Sequence, residues 1–497
     1  MFRFDNTYAR LPDHFYSRVT PAKVRAPRIV KVNRSLAEAL GIDAAALDSP
    51  AGAEIFAGNV VPEGAEPIAL AYAGHQFGSF VPELGDGRAI LLGEVVGKDG
   101  LRRDIQLKGA GRTPYSRRGD GRAALGPVLR EYVVSEAMAA LGIPTTRALA
   151  AVTTGEVVPR ELLSPGGVFT RVAASHIRVG TFEFFAARRD DQAIATLASY
   201  ALARHYPDAT GTGNDALALL ERVVEAQASL VARWLGVGFI HGVMNTDNTA
   251  VSGETIDYGP CAFLDEYDPN KRFSSIDTRG RYAFGNQSRI ALWNLTRLAE
   301  TLLPLFAKDE DESVRIAEAR LERFPEMFAK RHLAVLRAKL GLSARSGNDD
   351  DKGDRALAED LLERMAANHV DYTLFFRRLC AAAENASADE EISALFDNPG
   401  AFLDWAERWR ERLAREDVTP GNRAEAMRRA NPAFIPRNHR VEEIIAAAVA
   451  DSDFKPFETL LDVVTRPYDD RKDEPALERY ADPPKPEERV VATFCGT

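Results

Sequence analysis

The segment HGVMNTDNTAVSGETIDYGP (residues 241–260) follows a long predicted helix and decides how the rest of the chain is interpreted. It contains Asn248 and Asp257, whose amide and carboxylate oxygens are ligand types that Mg²⁺ takes together with phosphate oxygens. A hairpin turn around Ser252-Gly253 would bring the two side chains together. We therefore predict that Asn248 and Asp257 form a candidate metal site.

The order of these residues is similar to that in the catalytic segment of protein-kinase-like enzymes. In those enzymes a catalytic-loop Asn and the Asp of an Asp-Phe-Gly motif hold the metal ions on ATP, and residues 257–259 are Asp-Tyr-Gly. Small-molecule kinases of this fold have an Asp directly after His-Gly, whereas this chain has Val243. Asp247 is the nearest carboxylate that could replace that base, so γ-phosphate transfer should not be assumed. The alternative is that residues 257–259 form a plain turn and Asn248 is a loop residue.

Lys108 and Glu131 are similar to the lysine and the helix glutamate of a kinase small lobe, which form the second part of a kinase phosphate site. Lys108 ends the alternating segment DIQLK (104–108), and Glu131 follows on a predicted helix that begins at Pro127. A lysine held by a helix carboxylate contacts the phosphates in the kinase small lobe. Glu136, on a different face of the helix, is the competing partner, and a solvated strand lysine is the alternative to both.

Two glycine-rich loops, LGDGR (84–88) and GAGRTPYSRRGDGR (109–122), indicate a polyphosphate ligand. Glycines let backbone amides approach an anion closely, and arginine forks make bidentate contacts with phosphate oxygens. Arg171 and Arg178 could add a second grip from the last strand of this region. Surface solvation is the alternative for any single arginine. The group in and near the loops is nevertheless large for an acidic protein: Arg88, Arg112, Arg117, Arg118 and Arg122.

The composition is that of a globular protein with several lobes. The 497 residues are 45% hydrophobic and 27% charged, and 63 Lys and Arg against 73 Asp and Glu give a net charge of −10. This balance argues against a general nucleic-acid coat protein, which needs a basic surface. The sequence has no signal-peptide pattern and no run of the ~18 apolar residues that a membrane span requires. We expect a cytoplasmic, bacterial protein that binds neither nucleic acid nor membranes.

Common nucleotide and metal motifs are either incomplete or absent. KGAGRTP has two glycines of a dinucleotide-binding fingerprint but Pro114 at the third position, and GEVVGK is one residue short of a P-loop. The histidines form no HExxH pair, and the sequence contains no CxxC. These gaps argue against Rossmann, P-loop and zinc-hydrolase folds.

Short strands and one helix are predicted for the glycine-rich region that ends near residue 185. Helical spacing dominates beyond residue 190, first over 215–240. Residues 343–356 should form an exposed loop, and the last ~30 residues an extended tail. The predicted elements of the first region are strands at 89–96, 104–109 and 168–174 and a helix from Pro127 to Leu141.

Three long segments make the chain similar to the selenoprotein O family: AYAGHQFGSFVPELGDGRAILLGE, DIQLKGAGRTPYSRRGDGRAALGPVLREYVVSEAMAALGIPTTRALA and HGVMNTDNTAVSGETIDYGPCAFLDEYDP. The likeness runs through most of the chain and is densest from about residue 70 to 300. It implies a protein-kinase-like pseudokinase that binds ATP in a flipped orientation. It also implies transfer of AMP, with Mg²⁺ or Mn²⁺, to Ser, Thr or Tyr hydroxyls of protein substrates and release of pyrophosphate.

The same resemblance implies roles residue by residue. Asp247 matches the base, Asn248 and Asp257 match the metal ligands, and Glu131 matches the helix partner of Lys108. A flipped ATP would point its triphosphate tail at the arginines, which would neutralise the leaving pyrophosphate. The implied nucleotide contacts are Gly85, Gly87, Arg88, Lys108, Asp120, Gly121, Arg171, Arg178 and Asp257.

The implied architecture is an α+β, protein-kinase-like fold with two lobes. A glycine- and arginine-rich, β-containing N-lobe with an N-terminal extension (1–185) would grip the phosphates. A mainly helical C-lobe core (186–330) would carry the catalytic and metal-binding segment. A helical extension with the C-terminal tail (331–497) would follow, and we expect the protein to be a monomer.

The cysteines raise the question of redox control. Animal members of the family end in a Cys-x-x-selenocysteine pair, whereas this chain ends in Phe-Cys-Gly-Thr (494–497), so a local redox pair cannot form. We hypothesise that Cys261, four residues after Asp257, pairs with Cys495 under oxidising conditions, which requires Cα atoms within about 7 Å. The alternative is that Cys261 is a small buried residue and Cys495 an idle thiol. Cys380, in an apolar helical run, is expected in the core.

Two other functions remain open on the sequence alone. One is a conventional kinase that uses Asp247 as its base and phosphorylates a protein or a small molecule. The other is a non-catalytic, nucleotide-binding pseudokinase that senses ATP or serves as a scaffold.

Overall fold

An antiparallel sheet organises the first part of the chain in the computed structural model, which describes residues 2–160, 162–343 and 348–494. The strands are β1 (Tyr16–Arg18), β2 (Arg28–Val32), β3 (Ile68–Leu70), β4 (Gly74–Gln76), β5 (Ser79–Val81), β6 (Ala89–Val96), β7 (Arg102–Lys108), β8 (Ala123–Ala124), β9 (Arg147–Pro159), β10 (Leu163–Ala173), β11 (Phe239–Ile240) and β12 (Ala262–Phe263). The main sheet has the order β1–β3–β6–β7–β10–β9–β2, and β8 pairs with β10. Strands β4 and β5, and strands β11 and β12, form separate pairs.

Helices dominate the chain after the sheet. They are α1 (Arg34–Ala39), α2 (Ala44–Leu47), α3 (Pro50–Phe56), α4 (Leu125–Ala140), α5 (Val179–Ala186), α6 (Asp191–His205), α7 (Asp215–Gly236), α8 (Gln287–Phe306), α9 (Glu310–Leu321), α10 (Phe324–Leu340), α11 (Asn348–Ala367), α12 (Tyr372–Ala382), α13 (Asp389–Ser393), α14 (Pro399–Leu413), α15 (Pro420–Ala430), α16 (Asn438–Asp451) and α17 (Lys455–Val464). The predicted combination of a strand-rich first region and a helical remainder is confirmed. Among the described residues, no helix is both long and apolar enough to cross a membrane.

The register of the main sheet places polar residues of neighbouring strands opposite each other. Arg171 of β10 lies opposite Gln106 of β7 in the antiparallel pairing. Successive side chains of a strand point to opposite faces. Ile105 and Leu107 enter an apolar cluster with the first helices, so Gln106 and Lys108 face the other side of the sheet. One face of the sheet is therefore apolar and the other carries charges.

Helix α4 lies between the sheet and the C-terminal helices. Its sequence, LGPVLREYVVSEAMAA, has apolar residues on several sides, which is typical of a helix that is buried all round. Phe169 of β10 packs against one side of Tyr132, at 6.4 Å between ring centroids, and Phe457 of α17 packs against another, at 5.6 Å. The C-terminal helices α16 and α17 thus hold in place a helix that lies more than 300 residues earlier in the sequence.

Two predicted coil regions are wrong. Residues 348–356 of the expected exposed loop belong to α11, because Asp354 is buried and accepts from Arg337 Nε at 2.7 Å and Arg412 Nε at 2.6 Å. The rest of that loop includes residues outside the described ranges. The expected tail is also packed, since Tyr480 is buried and Thr493 pairs with Ser274. Tertiary contacts, rather than local composition, order both regions.

Two predicted helix boundaries shift slightly. The helix expected over 215–240 ends at Gly236, and Phe239–Ile240 forms β11 instead, paired with β12. Helix α4 begins at Leu125, two residues before Pro127, because Ala124 has the extended conformation that ends the preceding strand β8.

The packing of α17 on α4 predicts a stability difference between two leucines. Leu460 is fully buried against α4, whereas Leu403 of α14 is 47% exposed. We expect Leu460→Ala to lower the free energy of unfolding by about 2–5 kcal/mol, because it leaves a cavity. Leu403→Ala should change it by about 0.5 kcal/mol or less. Urea unfolding of both variants measures the difference, and equal losses would contradict this role for α17.

Candidate active site

The carboxylate of Asp257 is the centre of the candidate site. Lys108 Nζ and Arg171 Nη1 donate to Oδ1 at 3.1 and 2.6 Å, and Arg178 Nη1 donates to Oδ2. Lys108 ends β7, Arg171 lies on β10 and Arg178 precedes α5, so this one carboxylate joins three elements. Asp257 has a φ of 62°, a left-handed conformation that is uncommon for residues other than glycine and is found at functional sites.

Glu131 of α4 is the second carboxylate at this centre. It accepts from Lys108 Nζ at 2.6 Å and from Arg171 Nη1 at 3.2 Å. Glu136, the competing partner on the sequence, instead accepts from Arg147 at 2.7 and 2.9 Å. The structure therefore brings Lys108 together with Glu131 and places Glu136 in a separate ion pair. We refer to Lys108, Glu131, Arg171, Arg178 and Asp257 as the Asp257 cluster.

The Asp257 cluster has an excess of positive charge. Its three cations face two carboxylates, and Arg171 and Arg178 are almost fully buried. Burial alone would raise the pKa of Asp257, but the charges of Arg171, Arg178 and Lys108 outweigh it and hold the pKa well below its usual range. Asp257 is therefore ionised, and the remaining positive charge can attract an anion such as a phosphate.

A second layer of residues, which was not predicted from the sequence, fixes Arg171. Gln106 Oε1 accepts from Arg171 Nη2 at 2.6 Å and from Nε at 3.2 Å. Gln106 Nε2 in turn donates to Oδ2 of buried Asp86 at 3.1 Å, and burial raises the pKa of Asp86 to about 6. The alternation of DIQLK contained the signal, because Gln106 lies on the same strand face as Lys108.

Asp247 lies in a short 3-10 turn (Thr246–Asn248) beneath the β4–β5 hairpin. Its Oδ2 accepts from Gln76 Nε2 at 3.2 Å, and its backbone oxygen accepts from Arg178 Nη1 at 2.5 Å. Its Oδ1 is buried and has no hydrogen-bond partner among the described residues. Burial raises the pKa of Asp247 to about 6. The free oxygen is chemically suited to accept a proton.

The hairpin approaches Asp247 this closely because β4 begins with glycine. A Cβ atom on Gly74 would lie 2.5 Å from Asp247 Oδ1, a distance that real contacts do not allow. The turn itself is fixed by Glu183, which accepts from Thr246 Oγ1 at 2.5 Å and lies 2.5 Å from His75 Nδ1. Sequence analysis included the GHQFG stretch in the family resemblance but assigned no role to its residues.

The two glycine-rich loops lie against each other next to Lys108. Gly109 N donates to Arg88 O at 2.7 Å, and Thr113 Oγ1 donates to the backbone oxygen of Asp86 at 2.7 Å. Asp120 accepts from Arg160 at 2.9 and 3.1 Å, which holds the second loop to the end of β9. The predicted nucleotide contacts in these loops are Gly85, Gly87 and Arg88 in the first and Asp120 and Gly121 in the second.

Two arginines of the second loop are engaged in structural contacts. Arg112 Nε donates to Gly119 O at 2.8 Å, and Arg122 donates to the carbonyl groups of residues 22 and 23 at 3.1 and 2.9 Å. Arg117 and Arg118 are exposed. The density of arginines in this loop therefore partly reflects the anchoring of the loop to the N-terminal extension.

The C-terminal residues return to the site. Thr493 Oγ1 donates to the backbone oxygen of Pro260 at 2.6 Å, and Phe494 lines a small crevice together with Lys108 and Glu131. Cys261 is buried beside this segment. Cys495 lies outside the described residues, so its pairing with Cys261 stays a prediction. Cys380 is buried in an apolar cluster.

A larger cavity of about 810 Å³ lies on the other side of α4, between β2, α4 and α17. Its lining contains Glu136, Arg147 and Glu458 but none of the residues predicted for the active site. Cavity size therefore does not locate the candidate site, which is defined by its charge cluster.

Comparisons with known proteins agree on one family. The family model described as "Protein adenylyltransferase SelO" matches residues 1–465. The chain is 62% identical to the "Protein nucleotidyltransferase YdiU" of Bradyrhizobium sp. (strain BTAi1) and 62% identical to that of Bradyrhizobium diazoefficiens. It is 61% identical to the protein of the same name from Rhizobium meliloti. Each alignment covers 100% of this chain and 99% of the relative.

The contacts of the Asp257 cluster predict that loss of the Asp257 charge lowers the free energy of unfolding. Asp257→Asn leaves two buried guanidinium groups without their main partner, and removal of one member of a buried ion pair typically costs about 3–5 kcal/mol. Asp99→Asn removes an exposed partner of Arg103, for which about 1 kcal/mol or less is expected. Urea unfolding of the nucleotide-free protein compares the two variants. An Asp257→Asn protein as stable as the wild type would show that the cluster does not depend on this carboxylate.

Proposed function

This chain belongs to the SelO family of protein adenylyltransferases, and we propose that it transfers AMP from ATP to Ser, Thr or Tyr hydroxyls of protein substrates. The observation that carries the proposal is the pairing of the positively charged Asp257 cluster with a nearby buried carboxylate, Asp247, that has a free oxygen. The cluster suits a polyphosphate, and the free oxygen suits a hydroxyl that must lose its proton.

A protein-kinase-like arrangement of two lobes is part of the proposal. A strand-bearing Lys108, a helix-bearing Glu131 and an Asp257 after the Asn248 turn occur in the order of a kinase site. The proposed lobes are residues 1–185 and 186–330, with the helical extension and tail in 331–497. The contacts of α16 and α17 with α4 support a stabilising role of that extension for the first lobe.

The chemistry proposed for the site is attack at the α-phosphorus. The substrate hydroxyl oxygen forms a bond to the α-phosphorus, the bond from this phosphorus to the α,β-bridging oxygen breaks, and pyrophosphate leaves. Asp247 Oδ1 accepts the hydroxyl proton, in keeping with a carboxylate whose burial makes it more basic than usual.

The leaving pyrophosphate requires positive charge. Lys108, Arg171 and Arg178 supply it within the Asp257 cluster, and Arg88 lies in the adjoining glycine-rich loop. Preorganised charges of this kind stabilise a transition state without reorganising at the moment of reaction. The proposed nucleotide contacts in the loops are Gly85, Gly87, Asp120 and Gly121.

Asn248 and Asp257 fit Mg²⁺ or Mn²⁺ by the chemistry of their oxygen donors. Asn248 uses its amide nitrogen to donate to Val243 O at 2.9 Å, which leaves its oxygen for another partner. The described residues contain no group of three or more His, Cys, Asp or Glu side chains that could hold a metal. A donor set this small is typical of an ion that also takes phosphate oxygens. A bound ion would neutralise phosphate charge and polarise the reacting group.

The two aspartates should separate binding from chemistry. Asp247→Asn should bind ATP nearly as well as the wild type but transfer AMP about 10²–10⁴-fold more slowly, because the base is lost. Asp257→Asn should lose both metal-dependent ATP binding and transfer. Calorimetric ATP titration and incorporation of label from α-labelled ATP into host-lysate proteins measure these effects, with exposed Asp397→Asn as the control. Incorporation of γ-label instead would identify a kinase, and binding without either label a pseudokinase.

The triphosphate tail should be recognised by the buried arginines. We expect ATP to bind more tightly than ADP, and Arg178→Lys to reduce this preference, because lysine cannot reproduce the guanidinium contacts. Arg377→Lys provides a matched control, since Arg377 pairs with Asp470 among the C-terminal helices. Competition of ATP and ADP for a fluorescent ATP analogue measures the ratio. Equal ATP and ADP affinities in the wild type would place the arginines outside the polyphosphate site.

A further inference from the structure

The β4–β5 hairpin is bound to the turn that carries Asp247. His75 N donates to Thr246 Oγ1 at 2.7 Å, and Phe77 N donates to Asn245 Oδ1 at 3.1 Å. Together with the contact of Gln76 to Asp247, these bonds give the hairpin a defined position over the carboxylate. The tip of the hairpin points outwards, and its Phe80 is 42% exposed.

Aromatic and basic side chains extend from this hairpin to α8. The His75 ring centroid lies 4.9 Å from Phe80 and 5.3 Å from Trp293 of α8. The guanidinium groups of Arg281 and Arg297 lie over the Trp293 ring, at 4.7 and 5.0 Å from its centroid. We call these five residues the substrate surface. They form one continuous patch whose inner end is beside Asp247.

The segment that carries Arg281, Trp293 and Arg297 is basic in an acidic protein. Residues 271–297 contain six Lys and Arg but a single Asp, whereas the whole chain has a net charge of −10. That Asp277 is buried and accepts from the backbone of residues 281 and 282 at 2.9 and 2.8 Å. Arg297 pairs with Glu300, but no described residue forms an ion pair with Lys271, Arg272, Arg279, Arg281 or Arg289. The positive charge of this segment is therefore available to a partner.

We propose that the substrate surface binds an acidic segment of the protein substrate beside the hydroxyl that receives AMP. The proposal rests on the function proposed for Asp247: a hydroxyl that reaches this carboxylate brings its flanking residues onto the adjoining patch. Carboxylates of the flanks match Arg281, which forms no ion pair with a described residue, and Phe80 and Trp293 offer apolar contact. Charges at the rim of such an interface act mainly on specificity and on association rate.

Binding of short peptides tests the surface directly. The probes are fluorescein-labelled peptides with a central serine flanked by glutamates, by glutamines or by lysines, measured by anisotropy. We expect the glutamate peptide to bind about tenfold more tightly than the glutamine peptide, with the difference decreasing at high salt. Arg281→Glu/Arg297→Glu should abolish the difference. Arg429→Glu/Arg466→Glu reverses two exposed arginines, each of which pairs with a neighbouring carboxylate as Arg297 does, and should preserve the difference.

The outcomes separate this proposal from the proposed function. Binding does not require transfer, so a protein that prefers the glutamate peptide but transfers no AMP would overturn the function and keep the surface. Equal binding of the three peptides, or an unchanged preference in Arg281→Glu/Arg297→Glu, would overturn the surface. So would displacement of the glutamate peptide by an equimolar single-stranded oligonucleotide, which would assign the patch to nucleic acid. ATP affinity of the double variant should equal that of the wild type, and its loss would show that the substitutions disturb the nucleotide site.

Discussion

The sharing of one carboxylate by three cations is the constraint on which the site depends. Asp257 connects Lys108 at the end of β7, Arg171 in β10 and Arg178 before α5, and Glu131 closes the group from α4. Buried charges are costly unless each has a partner, so these elements can pack only in the relative positions that satisfy the cluster. Three cations of the cluster face two carboxylates, and the proposed polyphosphate site rests on this excess of positive charge.

The position of Glu131 depends on packing far from it in sequence. Helix α4 buries its apolar residues against β9 and β10 on one side and against α16 and α17 on the other. The C-terminal helices therefore support the helix that carries Glu131, the carboxylate partner of Lys108. Gln106 and Asp86 play the corresponding part for Arg171, because their hydrogen bonds leave its guanidinium one orientation.

Two groups of arginines differ in their burial and in their ion-pair partners. Arg171 and Arg178 are almost fully buried, and both pair with the same carboxylate, Asp257. Arg281 lies over the Trp293 ring, at 4.7 Å from its centroid, and pairs with none of the described carboxylates. In the proposed function the first arrangement contacts phosphates, and in the proposed substrate surface the second contacts an acidic partner. Gly74 links the two regions, because only a residue without a side chain lets the hairpin lie on Asp247.

The sequence by itself determined the family, the α+β character and the residues that meet at the Asp257 cluster, because long motifs and local periodicity are written in consecutive residues. The local pattern left open whether Glu131 or Glu136 faces Lys108, and only the family resemblance favoured Glu131. The sequence gave no role to Gln106, Asp86 or Gln76. It also misassigned residues 348–356 and the C-terminal tail. Tertiary structure decided those features, because the residues that contact Asp354 and Thr493 lie far from them in the sequence. Composition indicates how polar a segment is, whereas its burial depends on surfaces that only the folded chain brings together.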